Sequence, residues 1–204
     1  MTRMGVLENR RIAFAMAASH CNMDRALRAM AQVVAAGAEV IPVLSHSLKT
    51  TATRFGKPED WIEQARAISG REPLTTIPEV EPFGPRREVD CTVVCPCTGN
   101  TLARIANAIN DSPVCMAVKA TLRNGRPVVL AITSNDILGL NAKNLGILLA
   151  ARGVYFVPFG QDNPVTKPTS VDARIEEYLV PTIAAALEGH QLQPLLLGPP
   201  PISP

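Results

Sequence analysis

Four short polar segments, Ser19-His20-Cys21-Asn22, Ser45-His46-Ser47, Thr98-Gly99-Asn100-Thr101 and Ser134-Asn135-Asp136, offer hydroxyl, amide and imidazole groups, and Gly160-Gln161-Asp162-Asn163 is a fifth of the same type. Small neutral donors and acceptors of this kind suit the edge of a heteroaromatic ring or a small carboxylate. Ser19 opens a helical stretch, where free backbone N–H groups and the positive dipole end can hold a phosphate. The alternative is that Ser19 or Asn22 simply caps that helix. Ser45 and the residues to Gly56 form a hydroxyl-rich turn that faces either a ligand or solvent. His20 and His46 are candidate proton carriers. Arg54 and Arg104 are candidates for a substrate carboxylate, because the guanidinium fork matches it bidentately; the alternative for both is an ordinary solvated charge. Gly99 permits close backbone approach. Cys95 and Cys97 form C-x-C rather than C-x-x-C, and His20, His46 and His190 have no ligand spacing, so no metal site is expected.

The elements that must position these groups follow from apolar patterning. Short apolar runs at 11–16, 39–44, 91–95, 127–133 and 154–157 read as strands. The run at 91–95 is almost continuously apolar, as in a strand buried on both faces. Between the strands, helices are expected at 24–36, 58–69, 101–108, 113–123, 141–152 and 171–188, the last with a possible entry at 168–170. The Pro-rich stretch 72–87 reads as a surface loop with at most one short element, and 158–164 as a polar turn. Strands alternating with helices imply βαβ units and a three-layer α/β/α, flavodoxin-like parallel sheet. In such a sheet ligands bind beyond the carboxyl ends of the strands, and each polar segment above follows a strand. Residues 1–191 are expected to form one domain, followed by a Pro-rich tail at 192–204.

Bulk properties narrow the class. Hydrophobic residues make up 47% of 204, enough for a sizeable core, and the formal charge of +2 balances 20 basic against 18 acidic side chains. No basic face suggests nucleic acid. No apolar run approaches the ~20 residues of a membrane span, and the first residues lack a secretory apolar stretch. A cytoplasmic protein with reduced thiols is expected. No Gly-x-Gly-x-x-Gly is present, so this chain is not expected to bind a dinucleotide itself.

The stretch 96–111 fits P-x-T-x-N-T-x-x-x-I-A-x-x-x-x-D. It resembles the flavoprotein family that includes phosphopantothenoylcysteine decarboxylase, peptidyl-cysteine decarboxylases and flavin prenyltransferases. Within it, Ser19-His20-Cys21, Thr53-Arg54-Phe55-Gly56, Thr98-Gly99-Asn100, Asn110-Asp111-Ser112-Pro113, Lys119-Ala120-Thr121, Asn135-Asp136 with Leu138-Gly139-Leu140-Asn141, and Pro158-Phe159-Gly160-Gln161-Asp162 are similar to the family of dipicolinate synthase B subunits from spore-forming bacteria. That resemblance implies FMN as cofactor and a partner A subunit that binds NADP. It also implies a cytoplasmic role, in the mother cell of a sporulating bacterium, in oxidising a dihydro- or hydroxytetrahydro-dipicolinate to the aromatic diacid. It further implies a homo-oligomer, a trimer or a multiple of one.

Carried over residue by residue, the resemblance sets Ser19 at the flavin phosphate and Ser45 after the second strand. Thr98, Asn100 and Thr101 take the turn that meets flavin or substrate, and Asp111 acts as a structural cap. With the other strand-end groups, the implied flavin contacts are Ala18, Ser19, His20, Ser45, Thr98, Gly99, Asn100, Thr101, Ser134 and Asn135. Substrate contacts are expected from Arg54, Asn100 and Arg104. The first turn reads Ala17-Ala18-Ser19 where many relatives have glycine, which would block a positive-φ turn. Phe159-Gly160-Gln161-Asp162 disfavours prenyl transfer. Two other readings stand beside the oxidoreductase subunit: a non-catalytic subunit that binds flavin or substrate, and an FMN-dependent decarboxylase of cysteine-type substrates.

Overall fold

A computed structural model describes residues 5–198, apart from the His20 side chain. The apolar run after Arg11 forms β1 (Arg11–Met16), and Glu39–Leu44 forms β2 beside it in parallel. Between them lies α1 (Met23–Ala35), preceded by a single 3-10 turn at His20–Asn22; its buried face is Met23, Ala26, Leu27, Met30 and Val33. After β2 come α2 (His46–Thr50) and α3 (Pro58–Ser69). Proline at the first position of α3 starts the helix without wasting an N–H, and Gly70 in the left-handed region ends it.

The stretch expected as a loop at 72–87 holds two short helices, α4 (Ile77–Val80) and α5 (Phe83–Arg86). Each is a single turn, too brief for a helical period to show in sequence. Both are anchored by apolar contacts: Val80 and Phe83 are buried, and the two helices pack on α7 (Pro113–Arg123). Next come β3 (Cys91–Cys97), buried at every residue, α6 (Gly99–Ala106) and then α7. β4 (Val128–Ser134), α8 (Ala142–Leu149) and β5 (Val154–Phe156) complete the parallel part of the sheet.

The chain then departs from the expected pattern. Residues 158–164 are not a turn: Phe159–Asn163 forms β6, which pairs antiparallel with β7 (Lys167–Ala173). The final helix, α9 (Ile175–Leu187), therefore starts after residue 173 rather than at 171. Glycine, proline, asparagine and aspartate are depleted in strands, so Phe-Gly-Gln-Asp-Asn and Lys-Pro-Thr-Ser give no local strand signal. Pairing to the sheet forms the hairpin instead. β7 runs antiparallel against the end of β4 at Thr133↔Asp172, while β5 pairs with the beginning of the same strand. Leu195 and Leu197 hydrogen-bond to Phe159 across the β6 edge.

The order β2-β1-β3-β4-β7-β6, with β5 also on β4, is a doubly wound sheet, parallel except at the hairpin. α1 packs with α3 and α9, while α7 lies over β1, β2 and β3 with α4, α5 and α6 around it. The chain passes outward from β1 to β2 and returns to β3 on the other side of β1. That switch in direction opens a crevice at the carboxyl ends of β1 and β3. Among the described residues no helix is long and apolar enough to cross a membrane.

Candidate functional site

A cleft of about 850 Å³ occupies that crevice, within the roughly 300–1,000 Å³ common for small-molecule and cofactor sites. Its walls come from four places far apart in sequence: the turn after β1, the end of β3, the end of β4, and the β6–β7 hairpin. Phe55, from the loop after α2, closes one side.

The turn after β1 contributes Ala18, Ser19, Cys21 and Asn22. Asn22 stands at the N-cap of α1 but makes no side-chain cap. Its amide instead donates to the Ser19 hydroxyl at 3.0 Å. The first turn of α1 thus keeps backbone donors that no capping side chain takes, the arrangement an anion needs. Ala17 and Ala18 are absent from the positive-φ residues, so alanine fits this turn without strain. His20 lies in the 3-10 turn; its side chain is outside the described structure.

At the end of β3, Thr98 caps α6, accepting from the Thr101 N–H at 3.2 Å and donating to the Thr101 hydroxyl at 3.1 Å. Gly99 is buried, and a Cβ there would come within 2.8 Å of the Asn141 amide and 2.9 Å of the Ser134 hydroxyl. A side chain here would have to push one of these two groups aside, so glycine is favoured by close approach, not by its φ. At the end of β4, Ser134 and Asn135 line the cleft beside Thr133. The Thr133 hydroxyl is buried without a hydrogen-bond partner. Such a group costs about 1–3 kcal/mol while unpaired, and it belongs to a residue of the cleft lining.

Behind this wall runs an amide chain. Asn107 donates to Asn144 at 3.3 Å, Asn144 to Asn141 at 2.9 Å, and Asn141 to Asp136 at 3.1 Å. Asn144 is buried. The chain fixes the turn that carries Ser134 and Asn135. The hairpin is fastened to the same turn: Leu138 N–H donates to Thr169 C=O at 3.0 Å, and the Thr169 hydroxyl donates to Asn135 C=O at 2.7 Å.

The hairpin brings Asp162, Lys167, Ser170, Val171 and Asp172 into the cleft, and α1 brings Arg25. Arg25 donates to both Asp172 carboxylate oxygens at 2.9 and 3.1 Å, and to Glu176 at 2.9 and 3.1 Å. Burial pulls its pKa down, but the bonds to Glu176 and Asp172 outweigh that and hold it above its ordinary value. Lys167 pairs with Asp162 at 2.7 Å, and that hydrogen bond raises its pKa. Two cations and two carboxylates thus balance within the lining.

The other expected site residues lie apart from this lining. The Ser45 hydroxyl is buried without a partner at the end of β2. His46 is exposed on α2. Arg54 is exposed, with its guanidinium 4.8 Å from the centre of the Phe55 ring. Asn100 is exposed on α6. Arg104 is tied to Asp111 at 3.0 Å, away from the cleft. The cap expected of Asp111 is made by Ser112, which accepts from Cys115 N–H at 3.1 Å. Sequence reasoning missed Arg25, Phe55, Thr133, Lys167 and Asp172. Arg25 had a usable signal, since it lies three residues beyond Asn22 on the first turn of α1; the hairpin residues had none. Among the described residues no cluster of His, Cys, Asp or Glu is arranged to hold a metal.

The residues present fit a flavin: an uncapped helix start with a serine beside it, neutral donors along two strand ends, and a buried hydroxyl awaiting a partner. Comparison with known proteins agrees in kind. The Flavoprotein family model matches residues 3–180. The dipicolinate synthase B subunit of Bacillus subtilis (strain 168) is 44% identical over 194 residues, covering 95% of this chain and 96% of that protein. The crystal structure of the dipicolinate synthase B subunit from Bacillus halodurans superposes with a TM-score of 0.86 at 45% identity, covering 94% of this chain and 97% of that one. The FMN-dependent cysteine decarboxylase TvaF from thioviridamide biosynthesis has a TM-score of 0.54 at 25% identity, covering 70% of this chain and 86% of that one.

Proposed function

The chain belongs to the flavoprotein family and, within it, to the dipicolinate synthase B subunits, and on that premise we propose that it acts with an A subunit to oxidise dihydrodipicolinate, or its hydrated precursor, to dipicolinic acid during sporulation. NADP is the acceptor, bound by the A subunit. The reading has the protein working in the cytoplasm of the mother cell, as a homo-oligomer. The observation that carries it is the meeting of Ser19, Thr98 and Asn135 around one cleft at the switch point of the sheet.

In this reading FMN is held by Ser19 and the start of α1 at its phosphate, and by Ala18, Thr98, Ser134 and Asn135 at its ring and chain. When bound, the flavin supplies two-electron redox chemistry. The protein's own part is to bind and orient. Thr133 gives a buried hydroxyl to a ring heteroatom or carboxylate. Phe55 shields one side of the cleft from water, and the cation stacked on it, Arg54, meets a carboxylate at the rim. His20, between Ser19 and Cys21, is the proton carrier. TvaF, a cysteine decarboxylase, is FMN-dependent.

A second reading, a binding subunit without a catalytic group, has one observation in its favour: Arg25 and Lys167 are already matched by Asp172 and Asp162. The test is NADP reduction on dihydrodipicolinate with the A subunit alone, the B subunit alone, and both. Full activity only with both, lost when FMN is stripped and restored by adding it back, supports the catalytic reading. Full activity of the A subunit alone would sink it.

A further inference from the structure

The two cations of the cleft are held in very different ways. Arg25 has Asp172, Glu176, the Ala173 carbonyl and Asn22 as acceptors, and its side chain is only 24% exposed. Lys167 has a single hydrogen-bond partner, Asp162, and both are open to water, at 59% and 39%. The pair spans the turn of the β6–β7 hairpin, with Asp162 near the end of β6 and Lys167 opening β7. An exposed Lys–Asp pair is screened by solvent and loses side-chain freedom when formed, so it is easily exchanged. The network around Arg25 is not: moving it would strip Asp172 and Glu176 of their donors together.

Asp172 and Cys21 share the lining with the Lys167 ammonium, and the Asp172 carboxylate adds to the negative field that supports its charge. The cleft itself is otherwise charge-balanced, so an entering anion needs a cation that can change partners.

We propose that Lys167 is the exchangeable cation of the site: it leaves Asp162 to take an oxyanion of the bound ligand, and Asp162 is the internal competitor that holds its place. This rests on the diacid and flavin reading for the identity of the ligand. The oxyanion is either a carboxylate of a planar pyridine diacid or the phosphate of the flavin, and the two sources are separable.

The experiment is titration of the full chain, as wild type, Lys167→Met and Asp162→Asn, with pyridine-2,6-dicarboxylate and separately with FMN. Pyridine and riboflavin, which lack the anions, are the controls. Melting curves establish that each variant folds. Removing the competitor should tighten binding of one anionic ligand about two- to fivefold, while Lys167→Met weakens the same ligand about tenfold or more. The controls should not respond. A diacid response assigns the carboxylate, and an FMN response assigns the phosphate. If Asp162→Asn weakens binding as Lys167→Met does, the pair is a structural brace and the inference fails; it fails equally if neither variant changes either ligand. A wild-type chain that binds neither ligand overturns the functional reading itself, and the inference with it.

Discussion

The Arg25 guanidinium grips both carboxylate oxygens of Asp172, at 2.9 and 3.1 Å, across 147 positions of sequence. It joins the first helix to the last hairpin and sets one wall of the cleft. Arg25→Met leaves Asp172 and Glu176 without their shared donor. The expected loss is about 1–3 kcal/mol, read as a lowered melting temperature, with limited proteolysis cutting first in 158–173. An unchanged protease pattern would show that pairing with β4 alone holds the hairpin.

Acid sensitivity follows from the same network. The Arg25 hydrogen bond holds Glu176 below the usual carboxylate range, against an opposing effect of burial. A lowered folded pKa means stability that is full above the unfolded value, ~4.3, and lost as pH falls through the folded one. Melting temperature should therefore drop below about pH 4, and the drop should be shallower in Glu176→Gln.

Thiol reactivity should divide the cysteines. Cys91, Cys95 and Cys97 are fully buried and burial pushes their pKa well up; Cys115 is also buried and raised. Cys21 is exposed on the cleft wall. A native thiol titration should find one fast group, absent in Cys21→Ser and slowed by a ligand in the cleft. Several fast groups would contradict the packing around β3.

Much of this was legible in the sequence. The apolar run at 91–95 announced a doubly buried strand, and Pro58 with Gly70 marked both ends of α3. The strand ends carrying Ser19, Thr98, Ser134 and Asn135 were recognisable because parallel topology sends every such end to one edge. The hairpin was not legible, since its residues disfavour strands and are held by contacts distant in sequence: pairing with β4, the Arg25–Asp172 bond and the bonds of Phe159 to Leu195 and Leu197. Lys167 and Asp172 were hidden with it, and Asp162 was read as part of a polar turn at the same edge. Arg104 misled for a different reason: its partner Asp111 lies seven residues on, and nothing local distinguishes a paired arginine from a free one.

Gly99 tests the wall behind the site. In Gly99→Ala the new methyl crowds Asn141 and Ser134. Overpacking of this kind costs about 1–3 kcal/mol, and it should displace Ser134 from the cleft. Both a lower melting temperature and weaker FMN binding are expected. Lower stability with unaltered FMN binding would separate Ser134 from the cofactor.

The turn after β1 is the proposed seat of the flavin phosphate. The direct measurement is equilibrium titration of FMN and riboflavin into the full-length protein and into Ser19→Asp. Aspartate still accepts from Asn22 and suits a helix start, so the fold should hold while the added charge repels phosphate. Saturable FMN binding to the wild type is expected, at least tenfold weaker in the variant, with riboflavin affinity unchanged. No FMN binding by the wild type, or equal FMN affinity for both proteins, would contradict it.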